Sequence, residues 1–271
     1  MRFLIGLMQR LSQTNIFLIS AGVAFYAMLA VFPGLTATIS IWSTVADPIV
    51  IRDYLGVADN FIPPEAYAIL DAQVSGLVNG PRDAVGWGTV ISILFALWSA
   101  RAGVDALIKG LNLIHGSETR TTFFGLVFGY FMTVALVGVM LAAMATIVAV
   151  PVIVNYLPFH ATMNWLLTWF PWLAMVGLML SVLGVLYRFA PYKPVRRDPF
   201  FSWGAVVATF LWGAASLGLT YYLANFGSYN KVYGSLGAVI ALLMWLYLGA
   251  FSVLFGAALN AEQAERVKAE A

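Results

Sequence analysis

Long uncharged, apolar stretches alternate with short charged ones along this chain, and they divide it into six candidate membrane spans. A helix needs about 20 mostly apolar residues to cross a bilayer. The residues from 121 to 187 carry no formal charge, which is too long for one span and suits two spans with a polar turn between them. The predicted spans are residues 16–42, 85–108, 124–150, 165–189, 201–224 and 235–259. They predict an all-α integral membrane protein with a single transmembrane domain over residues 1–271.

Two pieces outside these spans have patterns of their own. Near the start, Phe3 and Leu7 recur at helical spacing and Arg2 and Arg10 take the other face, which predicts a short amphipathic helix on the membrane surface. Residues 43–84 hold half of all acidic residues, and their apolar positions predict short helices that are interrupted at residues 63–64, two prolines. This segment is expected to form a small helical outer loop.

The N-terminal apolar stretch is expected to be a retained helix. It runs without a charge from Leu11 to Ala46, whereas the apolar part of a cleaved signal peptide is about 7–15 residues long.

The positive charges predict the orientation of the spans. With the N-terminus inside, ten of the 14 Lys and Arg residues fall in cytoplasmic segments and three in outer segments, while Arg101 lies within a helix. Lys and Arg accumulate on the cytoplasmic side of membrane proteins. Both chain ends are therefore expected in the cytoplasm.

Composition agrees with a membrane protein and argues against several kinds of chemistry. Of the residues, 62% are hydrophobic and 10% charged, against about 25% charged in soluble domains. There is no cysteine, and His115 and His160 are too far apart for a metal motif. Neither a phosphate-binding glycine loop nor a Gly-x-Ser-x-Gly elbow is found. We therefore expect no cofactor, no metal and no enzymatic activity, and the small net charge of +2 does not favour nucleic-acid binding.

Three charged residues in the second span are the first candidates for function. Arg101, Asp105 and Lys109 are spaced four apart and so share one helix face. Arg101 is expected about 24 Å along the helix from its outer end, in the inner part of the bilayer. Either these residues form the polar, cation-biased lining of a cavity that opens to the cytoplasm, or Arg101 and Lys109 extend toward the membrane surface and Asp105 simply pairs with them.

Other candidates lie in the first span, at the end of the fourth span and in an outer turn. Pro33 has no N–H that could donate to the carbonyl of Leu29. Either this freed carbonyl lines a pathway near Tyr26, or the proline only marks a packing kink. Arg188 ends the fourth span and could point inward, whereas the cations after it fit ordinary attraction to anionic lipid heads. Three further candidates lie in the outer turn between the last two spans: Tyr229, Asn230 and Tyr233. Either they have a role in gating or binding, or they belong to an interfacial aromatic belt.

Several segments, in matching order and spacing, carry a family resemblance. They are residues 21–33, Leu111 and Asn112, residues 186–191 (LYRFAP), residues 228–237, residues 245–247 (WLY) and residues 256–262 (GAALNAE). With these segments the chain resembles the YihY/BrkB family of membrane proteins, once labelled "ribonuclease BN". The resemblance implies a bacterial plasma (inner) membrane protein with six helices, makes Asn112 a further candidate, and suggests transport of a lipid or another amphiphile.

Two classes of function remain open. In the first, the protein is a transporter or lipid-handling protein of the cell envelope that binds membrane lipids, anionic ones among them, through Arg101, Asp105 and Arg188. In the second, it is a non-transporting membrane scaffold whose acidic outer loop binds an envelope protein. A membrane-bound ribonuclease is disfavoured, because the acids on the predicted cytoplasmic side are not grouped as in a metal-dependent nuclease.

Overall fold

The computed structural model describes residues 2–42, 63–78, 87–117, 123–136, 138, 164–192, 199–225 and 236–270, and in this part of the chain all regular structure is helical. We number the helices in chain order. They are α1 (Arg2–Gln13), α2 (Ile16–Trp42), α3 (Pro64–Val78), α4 (Trp87–Ile114), α5 (Phe123–Leu136), α6 (Asn164–Phe189), α7 (Trp203–Asn225) and α8 (Leu236–Glu270).

The helices are distributed over two compact units. The first unit comprises Met1–Thr14, Ile108–Thr209 and Val253–Ala271, and the second unit comprises Asn15–Leu107 and Phe210–Ser252. Helices α4, α7 and α8 each contribute one part to the first unit and the other part to the second. The expectation of a single transmembrane domain stays a prediction.

Four helices are long and apolar enough to cross a membrane, counting only the residues described. Their apolar stretches are Ile16–Gly34, Val90–Ile114, Trp203–Asn225 and Leu236–Lys268, and only 17% to 28% of the most apolar part of each is buried. Large side chains such as Leu18, Phe131 and Phe210 are exposed. Water is a poor solvent for so much apolar surface, whereas lipid accepts it.

The helix bounds agree closely with several predicted spans and differ at one end of others. Helix α2 coincides with the predicted first span, and α3 begins at Pro64, where the break in the outer segment was expected. Helix α8 continues to Glu270, well past the predicted end at residue 259. The cause is the tail's composition, because Ala, Glu, Gln, Arg and Lys are all good helix formers in water.

The second unit is held by apolar and aromatic packing. The ring of Phe17 stacks on that of Phe251 with 5.3 Å between centroids. Leu219, Leu223 and Ala241 are buried together, and Trp245 packs against them. The indole Nε1 of Trp245 also donates to the hydroxyl of Ser216 at 3.0 Å, so its polar edge is satisfied within an apolar setting.

The amphipathic helix α1 is present, but the prediction that Arg10 lies on the face opposite Leu7 is wrong. The Arg10 side chain is only 13% exposed and lies on the same side of α1 as the buried Leu7. By contrast, Ile5 and Met8 are exposed. The helix ends at Gln13. The hydroxyl of the next residue, Thr14, donates to the Arg10 carbonyl, and Asn15 adopts a positive φ of 49° before α2 begins.

Candidate functional site

A charged pair lies in the middle of the apolar helix α4, within the second unit. Arg101 Nη1 and Asp105 Oδ1 are 3.2 Å apart, and their side chains are 15% and 33% exposed. Arg101 lies at the midpoint of α4, about 21 Å from Trp87 at about 1.5 Å per residue. The helix thus extends further beyond this residue than the predicted span did. The structure brings these two predicted residues into contact while leaving both partly accessible.

Two candidates on α2 have different relations to this pair. The Cβ of Tyr26 lies 3.6 Å from the position that a Cβ on Gly103 would occupy, so Tyr26 packs against the turn of α4 that carries both charges. Pro33 is half-buried inside α2, and the helix continues beyond it to Trp42. Since proline has no N–H, the Leu29 carbonyl lacks its usual helical donor.

The remaining described candidates lie in the first unit, and the structure gives them different surroundings. Lys109 is exposed on α4. Asn112 is buried and its side-chain oxygen accepts a bond from the backbone N–H of Tyr192 at 2.8 Å, so it holds the segment that follows α6. Arg188 is exposed rather than directed inward, with its guanidinium 5.9 Å from the ring centre of Phe189. Tyr229, Asn230 and Tyr233 lie outside the described residues.

Four charged side chains of the first unit form a network that we call the Arg10 cluster: Arg10, Glu262, Glu265 and Arg266. Arg10 Nη2 lies 2.7 Å from Glu265 Oε2 and 3.7 Å from Glu262 Oε2. Glu262 Oε1 also receives Arg266 Nε at 3.4 Å. The cluster joins helices α1 and α8, whose residues are far apart in the sequence, and its two positive and two negative charges balance.

Arg10 also caps the end of α4. The last turn closes with bonds from Gly116 N to Leu113 O and from Ser117 N to Asn112 O, the pattern of a Schellman motif with a left-handed glycine. This pattern leaves the Ile114 carbonyl without a backbone donor, and Arg10 Nη1 donates to it. A cation at a helix C-terminus also opposes the negative end of the helix dipole.

A second polar centre of the first unit lies where α7 begins beside α8. The Asn260 side chain accepts from Gly204 N and donates to Ser202 Oγ, each at 2.8 Å. Ser202 Oγ in turn accepts from Ala205 N at 3.2 Å, which is the usual N-cap bond. Together they satisfy donors at the start of α7 that the helix itself leaves free.

Two glycines allow the backbones to approach closely at this centre. A Cβ on Gly204 would overlap the carbonyl oxygen of Gly256, and a Cβ on Gly256 would overlap that of Gly204. The hydroxyl of Tyr187 reaches past Gly256 and donates to the Val253 carbonyl. The segments 186–191 and 256–262, both part of the family resemblance, thus meet at one helix crossing.

Sequence reasoning missed the Arg10 cluster and the role of Asn260, although some signals were present. Ser202 stands three residues before Ala205 at a helix start, which is an N-cap pattern. Glu262 and Arg266 are four apart on a helix. No spacing rule could pair Arg10 with a residue some 250 positions later. Among the residues described, no group of three His, Asp or Glu side chains is placed to hold a metal ion.

Comparison with known proteins assigns the chain to a family. The model of a family described as "Virulence factor BrkB" matches residues 7–271. A Bacillus subtilis (strain 168) protein named as ribonuclease-like, YfkH, is 28% identical over 258 residues, which cover 92% of this chain and 90% of that protein. No solved structure matches the chain at a significant level.

Several relatives are named as membrane proteins. A UPF0761 membrane protein of Vibrio parahaemolyticus is 28% identical over 96% of this chain and 81% of its own length. One from Xanthomonas campestris is 27% identical over 92% of this chain, but the match spans only 55% of that longer protein. With the four long apolar helices, these matches identify the chain as a membrane protein.

Proposed function

This chain belongs to the virulence factor BrkB family, and from its charged pair within an apolar helix we propose that it binds and moves an amphiphile across or within the bacterial plasma membrane. The proposed cargo is a lipid or lipid-like molecule with an anionic headgroup. The role is non-enzymatic, with movement that is passive, ion-coupled or driven by a partner.

The single observation that carries this proposal is the Arg101–Asp105 pair. A charged residue at the centre of a membrane helix costs about 2.5–3.5 kcal/mol on insertion scales. Pairing reduces that cost, yet an apolar pair of similar volume is often at least as stable as a buried ion pair. Stability alone therefore gives little reason for both charges to lie in the apolar stretch Val90–Ile114. Binding of a charged headgroup gives such a reason.

The chemistry of the pair suits a phosphate-containing headgroup. The planar guanidinium of Arg101 presents donors that match two phosphate oxygens at once. Asp105 offers a carboxylate to a cationic group of the same headgroup, such as an amine. Because both side chains are partly exposed, a headgroup has access to them while its acyl chains remain in lipid.

We further propose six spans with both chain ends in the cytoplasm. Four long apolar helices support this, as do the shorter apolar stretches Phe123–Leu136 and Leu173–Phe189, which coincide with parts of the predicted third and fourth spans. The excess of Lys and Arg in the segments assigned to the cytoplasm supports the orientation.

The test compares lipids bound by wild-type protein, Arg101→Gln and Asp105→Asn, purified in one detergent and measured by native mass spectrometry. Lys268→Gln is the matched control, because it removes an exposed cation from the last turn of α8. We expect Arg101→Gln to weaken binding of one phospholipid class about 10- to 100-fold, the effect of losing a charge-assisted contact. Lys268→Gln should retain it.

The same variants are then reconstituted in liposomes that contain the bound class in fluorescent form. Transfer of that lipid between leaflets, or release of a bound amphiphile, should fall in Arg101→Gln and persist in Lys268→Gln. Equal lipid binding and no transfer activity in all proteins would refute the proposal. That result would instead favour the scaffold, whose partner would be sought at the acidic outer loop.

A further inference from the structure

Helix α1 has two faces with opposite surroundings. Of its side chains that the structure describes, Leu7 is fully buried, at 5% exposed, while Met8 beside it is 73% exposed. Ile5 is exposed on the outward side as well. One face therefore packs into the first unit, and the other is mixed, because the exposed apolar side chains Ile5 and Met8 lie beside the exposed polar side chains Gln9, Ser12 and Gln13.

Charged contacts help to hold the inward face of α1. Arg10 contacts Glu262, Glu265 and the Ile114 carbonyl. The guanidinium of Arg266 also lies 4.9 Å from the centre of the Phe3 ring, within the range of a cation–π contact. Among the described apolar side chains of α1, Leu7 is buried and Phe3 and Leu11 are partly buried, so the charged network acts together with apolar packing.

Several features of the network favour release over permanent attachment. The Glu265 side chain, the nearest acidic partner of Arg10, is 57% exposed, so salt and water compete for that contact. Arg10 Nε is buried without a hydrogen-bond partner among the described residues. At its far end α1 joins α2 through Thr14 and Asn15, and Asn15 has a positive φ, a turn conformation that asparagine adopts more readily than other non-glycine residues.

We propose that α1 is a releasable latch. In the closed state the Arg10 cluster holds α1 across the ends of α4 and α8. In the open state α1 swings at Thr14–Asn15, keeps the Ile5 and Met8 side chains at the membrane surface, and frees the Ile114 end of α4. This inference goes beyond the proposed function, because it concerns motion of α1 whatever the protein binds.

The test uses the absence of native cysteine and measures maleimide labelling of purified protein. Leu7→Cys reports opening, because position 7 is buried when the latch is closed, and Met8→Cys is an exposed control in the same helix. In the Leu7→Cys background, Glu262→Gln should raise the labelling rate about tenfold, since it removes the carboxylate between two arginines. Lys268→Gln should leave the rate unchanged.

A second variant displaces the cluster without removing a charge. A Cβ at position 6 would overlap the Glu262 carboxylate, so Gly6→Ala pushes that carboxylate away from both arginines. Gly22→Ala is its control, because nothing lies within 4 Å of a Cβ there. Gly6→Ala should speed labelling of Leu7→Cys several-fold, Gly22→Ala should not, and raising the salt concentration should act in the same direction as Gly6→Ala.

The outcomes separate the latch from a merely structural contact and from the proposed function. A rise at position 7 with no change at position 8, in protein that stays monodisperse, supports the latch. Slow labelling of Leu7→Cys in both Glu262→Gln and Gly6→Ala would overturn it. Because no lipid cargo enters this assay, its result does not depend on whether the Arg101 site binds one.

Discussion

Replacing Asn260 by alanine should destabilise the protein more than any other single polar truncation at the start of α7. Asn260 is buried and satisfies two groups at once, the backbone N–H of Gly204 and the hydroxyl of Ser202. Alanine removes both bonds and leaves the Gly204 N–H buried without a partner. An orphaned buried donor costs about 1–3 kcal/mol, and the second lost bond adds about 0.5–1.5 kcal/mol. The expected loss is therefore about 2–4 kcal/mol.

The assay is thermal unfolding in detergent, followed by intrinsic fluorescence from the nine tryptophans. At roughly 2–4 °C per kcal/mol for a chain of this size, the apparent Tm should fall by about 4–16 °C. Asn225→Ala is the matched control. Its side chain is exposed and donates only to the Tyr221 carbonyl of its own helix, so the apparent Tm should stay within about 2 °C of wild type.

A third variant separates the two bonds. Asn260→Asp keeps an oxygen that accepts from Gly204 N and places a negative charge at the start of α7, where the helix dipole favours it. It loses the amide donor to Ser202 and buries a carboxylate at a position that is 4% exposed, so its apparent Tm should lie below that of wild type. If Asn260→Ala unfolds no earlier than Asn225→Ala, the assignment of Asn260 as the cap of α7 is refuted.

Three further predictions follow from the structure. Gly204→Ala should abolish monodisperse protein, because its Cβ would overlap the Gly256 backbone. Gly218→Ala on the same helix should behave as wild type, because its Cβ would meet nothing within 4 Å. Equal yields of the two variants would contradict the close crossing of α7 and α8. Tyr187→Phe should lower stability by about 1 kcal/mol through loss of its bond to Val253 O, and an unchanged Tm would show that the bond contributes nothing. A membrane-impermeant maleimide should label Ala72→Cys in intact cells and Gln263→Cys only after permeabilisation; the reverse pattern would overturn the proposed orientation.

The family-like segments have a structural explanation that is independent of transport. Tyr187, Gly256 and Asn260 all act at the α7–α8 crossing of the first unit, and Asn112 holds the segment that follows α6. These residues hydrogen-bond to backbone groups or permit close helix packing, rather than offering side-chain groups for ligand binding or catalysis. Substitutions there should therefore reduce stability first, whereas substitutions at Arg101 and Asp105 should reduce ligand binding in folded protein.

The sequence by itself determined the class of the protein and most of its helices. Long uncharged stretches predict membrane helices because an unpaired backbone or a charge is costly in lipid, and α2 follows its predicted span residue by residue. The spacing of Arg101 and Asp105 likewise placed them on one helix face, since residues four apart on a helix are neighbours, and left open whether they pair. The prolines at positions 63 and 64 located the start of α3 for the same local reason.

Only the tertiary structure decided which polar residues are used to hold helices together. Arg10 was expected on the polar face opposite Leu7, yet it pairs with Glu262 and Glu265 and caps α4. Asn260 gave no signal of its partner Ser202, 58 residues earlier. Helical periodicity assigns a residue to a face, but it does not say what that face meets, because contacts between distant segments depend on how whole helices pack. The spacing of residues along one helix is therefore readable from the local sequence, whereas the contacts between distant helices are not.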